Sequence, residues 1–455
     1  MDIHLGDCIK QARGFMEGSI MEDSFTSSLD QKNHPMIKTR KKTRLLYYTA
    51  LASIVTSCTI SKEYMDARLT QYHTPFFGED APTTPTPANH GATIRSIMDD
   101  FMKPWKRVYG LLLLCDASLV LLDDAAVIKA YDMMTHDLGG RKKERFGELL
   151  GLLHSDGEIP PAYAKAENLI VQFRANRQFA SQPLMRIMVT ANMSAGKSTL
   201  INALVGKPLM RTAQEATTAN LCYIYNKAFE DNRLHLLASP PNLDATVDDL
   251  RNIEKTSETS LAAYFRTTGH SQKRICLIDT PGVNFALNSS HGDLTRNAIT
   301  EGMYDMLIYV LDATKIAKDD EIKYLQYVHE NVPNEKVIFV LNKLDCFKSV
   351  DDSISASIDG VKADLVKIGF EDPAICPMSA YFSLLLKLKQ HGEELDEDDQ
   401  EVYDYYVNKF RKPEYDLSKY YSDKDHARDI TIQDEFVGMS YISGLFGLER
   451  IIYGG

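Results

Sequence analysis

Met185-Arg-Ile-Met-Val-Thr-Ala-Asn-Met-Ser-Ala-Gly-Lys-Ser-Thr199, continued by Leu200-Ile-Asn-Ala-Leu-Val205, is the stretch that decides the fold. The apolar run Met185–Thr190 predicts a strand, and Thr199–Val205 predicts a helix. Between them, Ala191–Ser198 follows the pattern G-x-x-x-x-G-K-[ST], with Ala191 in place of the first glycine. A methyl group there removes no hydrogen-bond donor. In such a loop successive amides turn inward as an anion nest, and the helix start adds partial positive charge. Lys197 supplies a compact cation for β/γ-phosphate oxygens, and the Ser198 hydroxyl suits one Mg²⁺ position. Asn192, Ser194, Ala195, Gly196, Lys197, Ser198 and Thr199 are the candidate phosphate contacts.

Toward the C-terminus, five more short apolar runs alternate with helical segments: Leu221–Tyr225, Arg274–Ile278, Met306–Leu311, Val337–Leu341 and Ala374–Met378. The alternation predicts an α/β domain with a mostly parallel sheet and helices on both faces. Ligands of such sheets bind at the carboxyl ends of the strands. The remaining motifs fall there. Glu215-Ala-Thr-Thr-Ala-Asn220 offers a threonine, Thr218 in preference to Thr217, to close over Mg²⁺ and the γ-phosphate. Asp279-Thr-Pro-Gly282 places a carboxylate to hold Mg²⁺ through water, and the Gly282 N–H to read the γ-phosphate. Asn342-Lys-Leu-Asp345 selects the base. A carboxylate accepts from guanine N1–H and the 2-amino group together, a donor pair that adenine lacks. Asn342 would help hold the base and its neighbouring loops, and the Lys343 stem would pack on the ring. Cys376-Pro-Met-Ser-Ala380 offers the Ser379 and Ala380 amides to the guanine oxygen. GTP and Mg²⁺ are therefore the expected cofactors. Lys197, Thr218 and Gly282 are the expected catalytic residues, and Ser198, Thr218 and Asp279 the expected metal-binding residues.

Toward the N-terminus the texture is helical. Residues 1–91 read as a loosely ordered segment with one helix, over about 45–73, and a Pro/Thr linker, Gly78–Gly91. Residues 92–183 read as a helical neck or bundle, broken at Gly139-Gly140 and Pro160-Pro161. Residues 184–455 read as the nucleotide-binding domain, with an acidic helical C-terminal part. Leu45–Ile60 and Tyr109–Leu122 are the most apolar stretches. Both fall short of a membrane span and are expected to be buried helices. Trp105 and its neighbouring aromatics are expected in the core. A basic cluster, Lys38 to Arg44, reads as a solvated helix start.

The chain has 455 residues, 44% apolar and 25% charged, with a net charge of −12. Residues 1–183 hold 22 basic and 22 acidic side chains, so residues 184–455, with 29 and 41, carry the whole excess. That argues against a nucleic-acid groove there. Seven scattered cysteines with no C-x-x-C pair argue against a disulfide framework or zinc and suit a cytoplasmic setting. The N-terminus shows no export signal.

Several features resemble the dynamin-like large GTPases, the bacterial type in particular, within the wider P-loop GTPases. The loop reads N-M-S-A-G-K-S-T-L-I-N-A-L-V-G. Asp279-Thr-Pro-Gly-Val-Asn284 precedes Asn288, His291, Thr295 and Asp305-Met-Leu-Ile-Tyr-Val-Leu-Asp-Ala313. Asp319-Asp320-Glu321 with Tyr324-Leu325 extends the similarity, and Ser443-Gly-Leu-Phe-Gly-Leu-Glu449 is similar to the family's closing segment. Lys197 and Asp279 are 82 residues apart. The excess over a minimal GTPase, about Lys227–Lys273, is expected to include an acidic helical insertion. The resemblance implies GTP hydrolysis, with switch-loop changes passed to flanking helices for assembly or membrane-associated remodelling. It also implies self-association through the GTPase face and peripheral membrane contact, with no transmembrane segment. Eukaryotic members place a glutamine where Met193 stands, so slow hydrolysis is expected. Two other readings share the motifs: a nucleotide-binding scaffold with little hydrolysis, and a ribosome- or assembly-associated GTPase.

Overall fold

The computed structural model describes residues 20–58, 62–78, 89–210, 221–237, 240–251, 259–268, 272–281, 289–315, 319–348, 353–421 and 435–454. In chain order, helices α1 (Ile20–Thr26), α2 (Lys41–Cys58), α3 (Lys62–Thr70), α4 (His73–Phe77), α5 (His90–Phe101), α6 (Arg107–Leu121), α7 (Asp124–Thr135), α8 (Arg141–Leu153) and α9 (Glu167–Ala180) come first. Then follow β1 (Met185–Ala191), α10 (Lys197–Val205), β2 (Cys222–Asn226), β3 (Leu234–Leu237), β4 (Asn242–Ala245), α11 (Val247–Arg251), β5 (Thr259–Ala263) and β6 (Ile275–Asp279). The rest are α12 (Ser289–Glu301), β7 (Met306–Asp312), α13 (Asp319–Asn331), β8 (Val337–Asn342), α14 (Ile354–Ile368), β9 (Ala374–Pro377), α15 (Ala380–Gln390), α16 (Glu397–Phe410), α17 (Glu435–Ile442) and α18 (Leu445–Tyr453). By compactness the chain forms two units: Met1–Pro183 with Lys227–Ala245, and Leu184–Asn226 with Thr246–Gly455.

The first unit is built around α6, whose residues Gly110–Leu121 are all buried. The two apolar stretches of the sequence are thus buried helices, α2 and α6. Among the described residues no helix is long and apolar enough to cross a membrane. Side-chain caps start the next helices: Asn89 accepts from the Ala92 amide at 2.9 Å and Asp123 from the Ala126 amide at 2.8 Å. Asp116 sits fully buried in the middle of α6. Its carboxylate accepts from Tyr72 OH at 3.1 Å, from His34 Nε2 at 2.9 Å and from Tyr47 OH. The Met36 amide donates to His34 Nδ1 at 3.1 Å, so the imidazole proton is on Nε2. Three donors make this buried charge tolerable.

Four expectations need correction here. Residues 23–36, expected to be loose, are largely buried, with Phe25, Leu29 and Met36 in the core. The reason is polar pairing. Asn176 and Gln172 each donate to and accept from the backbone of Ser28 and Asp30, at 2.8–2.9 Å. The insertion after β2 has more strand than helix: its described part holds the antiparallel pair β3–β4, β5, and a single acidic helical turn, α11. Residues 227–245 belong to the first unit, not to the nucleotide-binding domain. There the Lys227 ammonium is buried against Asp231 at 2.7 Å and His235 Nε2 at 3.0 Å, while His235 Nδ1 donates to Phe25 O at 2.7 Å. Finally, Trp105 is not in the core; it is 73% exposed.

The second unit has the predicted α/β architecture. Its seven strands run in the order β5-β2-β6-β1-β7-β8-β9. All pairings are parallel except β2 with β6. All six strands expected from the sequence are present within a residue of their expected starts. Every residue of β6 and β8 is buried, as a sheet covered by helices on both faces requires. The closing segment packs back on the sheet. Gly444 has φ +84°, and a Cβ there would lie 2.2 Å from Pro377 O, so only glycine fits between α17 and α18. Lys387 of α15 and Glu449 of α18 form a buried pair at 2.5 Å. Lys387 also donates to Leu204 O at the end of α10, at 2.9 Å.

Candidate functional site

The phosphate loop leaves β1 at Ala191 and enters α10 at Lys197. Two positive φ angles make the turn, at Ser194 (+65°) and Gly196 (+91°). Asn192 steadies it: its Oδ1 accepts from the Met193 amide at 2.8 Å, and its carbonyl accepts from the Ala195 amide at 3.3 Å. Among the described residues, none accepts from the amides of Ser194, Gly196, Lys197, Ser198 or Thr199. A loop-to-helix junction with several unspent donors is an anion cradle. Lys197 is nearly buried, and its ammonium is hydrogen-bonded to Asp279 Oδ1 at the end of β6. The other carboxylate oxygen, Asp279 Oδ2, is buried with no partner among the described residues. This orphaned oxygen and the half-buried Ser198 hydroxyl are a donor set suited to hydrated Mg²⁺.

A second layer ties this loop to the base-reading segment. Asn342 ends β8; its Nδ2 donates to Ala195 O at 3.0 Å, and its Oδ1 accepts from the Ala380 amide at 3.0 Å. A Cβ on Gly196 would fall 2.3 Å from that Nδ2, so the glycine also makes room for the staple. Lys343, at φ +67°, sends its ammonium to Ser194 O at 2.5 Å and to Asp312 Oδ2 at 2.8 Å. Burial works to raise the Asp312 pKa, but hydrogen bonds from Lys343 and Thr314 outweigh it and hold the carboxyl below its usual range.

Asp345 is buried beside this pair. Its Oδ1 accepts from Ser379 Oγ at 2.6 Å and its Oδ2 from Tyr406 OH at 2.9 Å. Lys409 holds the backbone below, donating to Asp345 O at 2.6 Å and Phe347 O at 2.5 Å. Burial and the Asp345 charge raise the pKa of Tyr406, which therefore stays a donor. Oδ2 also accepts weakly from the Cys346 thiol at 3.5 Å, which a purine donor would displace, while Oδ1 keeps a second lone pair for a purine.

The structure thus brings together Asn192, Ser194, Ala195, Gly196, Lys197, Ser198, Thr199, Asp279, Asn342, Lys343 and Asp345. The base-loop amides require correction. The Ser379 amide donates to Ser443 O at 3.1 Å and the Ala380 amide to Asn342 Oδ1, so neither is free for a guanine oxygen here. The closing segment and the Asn342 staple have taken them. Thr217, Thr218 and Gly282 lie outside the described residues. Sequence reasoning missed Asp312 and Tyr406. Asp312 stood at the end of a quoted strand. Tyr406 lies 61 residues beyond its partner with no motif to mark it.

Residues 187–344 match the dynamin family model. Dynamin-like protein A of Bacillus subtilis is 27% identical over 201 residues, which is 43% of this chain and 16% of that protein. The probable transmembrane GTPase FZO-like, chloroplastic, of Arabidopsis thaliana is 25% identical over 208 residues, 46% of this chain and 20% of that protein. The chain thus spans a fifth or less of these relatives' own lengths. A crystal structure of Aquifex aeolicus Era bound to GDP and aluminium fluoride aligns with 49% of this chain and 56% of its own, at 19% identity and a TM-score of 0.27. Phosphate loop, sheet order and family match agree: over residues 187–344 this chain is similar to the GTPase domain of the dynamin family.

Proposed function

We propose that the second unit binds GTP with Mg²⁺ and hydrolyses it slowly, passing switch-loop changes to the helical unit for self-assembly or membrane-associated remodelling. The observation that carries this is the unspent amide cradle of residues 194–199, with Lys197 at its mouth and Asn342 joining it to the Asp345 loop. The Lys197 ammonium, now on Asp279, would move to the β/γ-phosphate oxygens when a triphosphate enters. Its departure frees the Asp279 carboxylate, which with Ser198 and Thr218 would hold Mg²⁺. The metal, when bound, neutralises charge developing on the phosphate oxygens. The amides of Gly196, Lys197 and Ser198 hold the phosphates in place through the reaction. Asp345 selects guanine, with Ser379 and Tyr406 fixing its plane. Gly282 reads the γ-phosphate and is released on hydrolysis.

Met193, 39% exposed on the phosphate loop, is a thioether and accepts no proton from water. Slow turnover follows, raised by self-association across the nucleotide face. The same residue supports a second reading, a GTP-dependent scaffold with negligible hydrolysis. Calorimetry with GTP and ATP, then single-turnover phosphate release, tests both. Tight binding of GTP over ATP that Lys197→Ala abolishes, with slow release, supports the first. Tight binding without release supports the second. Equal affinity for ATP and GTP overturns the guanine assignment.

A further inference from the structure

The turn joining α5 to α6 holds the chain's one tryptophan, and it points away from the core. Trp105 is 73% exposed, flanked by the exposed Lys103, Pro104 and Arg107. The turn is not slack. The Lys106 amide donates to Lys103 O at 2.9 Å, the Tyr109 amide to Lys106 O at 2.8 Å, and the Met102 amide to Met98 O at 2.8 Å. The ammonium groups of Lys103 (2.6 Å) and Lys106 both bind Asp100, which braces the turn from beneath. A large apolar ring is therefore presented to solvent on a rigid mount.

The two ends of the turn, Met102 and Arg107, line a cavity of about 60 Å³ shared with the start of α8. It is lined by Met102, Leu111 and Phe146 and by Arg107, Arg141, Lys142 and Arg145. Met102 and Phe146 close in because Gly110 has no side chain; a Cβ there would meet Met102 Cε at 2.7 Å. Arg145 is engaged, donating to Ala162 O at 3.1 Å. Arg107, Arg141 and Lys142 are exposed, and none has an ion-pair partner among the described residues. The charge is concentrated. Residues 99–107 and 141–146 together hold seven Lys/Arg and three Asp/Glu, in an N-terminal region, 1–183, whose net charge is zero.

We propose that Trp105 with Arg107, Arg141 and Lys142 is a docking site for the surface of an anionic phospholipid bilayer. This gives a place to the membrane contact in the proposed function, and it stands independently of nucleotide binding. Tryptophan prefers the headgroup boundary, where its ring is shielded and its indole N–H stays wet. The unpaired cations at its side meet lipid phosphates, and the apolar floor of the cavity sits toward the acyl boundary. An acidic protein surface or a nucleic acid would satisfy the cations but leave no apolar layer for the ring.

Because Trp105 is the sole tryptophan, its emission in the intact wild-type chain reports the site directly. Nucleotide-free protein is mixed with phosphatidylcholine vesicles, with or without phosphatidylserine. A blue shift and quenching by brominated acyl chains are expected with phosphatidylserine only, and no shift with inorganic phosphate. The exposed triple change Arg107→Gln, Arg141→Gln, Lys142→Gln should weaken vesicle co-sedimentation by roughly 100-fold, and Trp105→Ala should weaken it too. GTP binding by both variants should be unchanged, which separates this outcome from failure of the GTPase reading. Unshifted emission with anionic vesicles overturns the proposal, as does a shift produced by inorganic phosphate, RNA or polyglutamate instead. Wild-type co-sedimentation of the triple variant overturns it equally.

Discussion

Substituting Lys387 by Met tests how the closing helix is held to the nucleotide unit. Lys387 and Glu449 are 1% and 0% exposed and 2.5 Å apart. Lys387 also donates to Leu204 O, in the last turn of α10, where a cation is favoured. Glu449 Oε2 accepts from the Thr268 amide at 2.9 Å. Burial lowers the Lys387 pKa, although Glu449 opposes it, so desolvation is not fully repaid by the pair. Lys387→Met loses one hydrogen bond, about 1 kcal/mol. It also strands the Glu449 carboxylate with a single amide, for a total cost of about 3–5 kcal/mol. Adding Glu449→Gln removes the stranded charge while keeping an acceptor for Thr268. The double variant should therefore recover part of the loss and sit about 1–3 kcal/mol below wild type, the cost of the unmet Leu204 carbonyl. Amide exchange across α18 and α10 reads these as local opening energies, which suits a chain of two units better than one global transition. A double variant less stable than Lys387→Met would refute the reasoning.

Gly196→Ala should lower GTP affinity by at least roughly tenfold, since φ +91° and the 2.3 Å approach to Asn342 both exclude a methyl. Fluorescent-nucleotide titration checks it, and wild-type affinity would contradict the Asn342 staple. Burial first, then Lys227 and Arg68, depress the His235 pKa well below 6.5, so the folded state keeps His235 neutral while the unfolded chain takes a proton. First-unit stability attributable to His235 is present above about pH 6.5 and is lost as pH falls below it. His235→Gln should flatten the acid limb in thermal melts between neutral pH and about 5.5, and an unchanged slope would exclude this source. Burial and then the Asp345 charge raise the Cys346 pKa to about 11, though the side chain is exposed. Iodoacetamide should label it roughly 100-fold more slowly at about pH 8 than an unperturbed thiol, tenfold faster per pH unit up to about 11, and more slowly still with GTP bound. Rapid labelling at neutral pH would refute that environment.

The strands around the phosphate loop were legible because each is a short apolar run with a turn signal at its carboxyl end. Those runs are buried on both faces, so no alternation was needed to find them. The hairpin Leu234–Leu237 with Asn242–Ala245 was not legible, because four-residue strands carry too little periodicity to tell from a helical turn. Order in residues 23–36 was hidden for another reason. Asn176 and Gln172 pair with the backbone there, and hydropathy patterns do not register buried carboxamides. Within the site, local motifs located Lys197, Asp279, Asn342 and Asp345. The long-range partners, Tyr406 and Lys409 for Asp345 and Ser443 for the Ser379 amide, come from the C-terminal segment, where nothing in the sequence specifies the pairing. Trp105 was misplaced because helix spacing assigns an aromatic residue to a core even at the turn where the helix has ended.

The path of the chain bears on how nucleotide state would reach the helices. The backbone passes between the two units at residues 183/184, 226/227 and 245/246, three times rather than once. At the middle passage there is no linker. Asn226, the last residue of β2, donates to Gln272 Oε1 and Lys273 O at 2.9 Å and accepts from the Phe265 amide at 2.8 Å. Its neighbour Lys227 is buried in the other unit against Asp231 and His235. Adjacent residues are thus anchored in different units, and β2 itself begins two residues after the Thr218-bearing segment 211–220. On the proposed function, a change at that segment would be passed along β2 to Lys227. Coupling through this strand needs no long lever, and it predicts that glycines inserted between Asn226 and Lys227 would leave GTP affinity intact while uncoupling the helices. Amide exchange in α2 and α6 that responds to a GTP analogue in wild type, and not in the insertion variant, is the expected result; an equal response in both would place the coupling elsewhere.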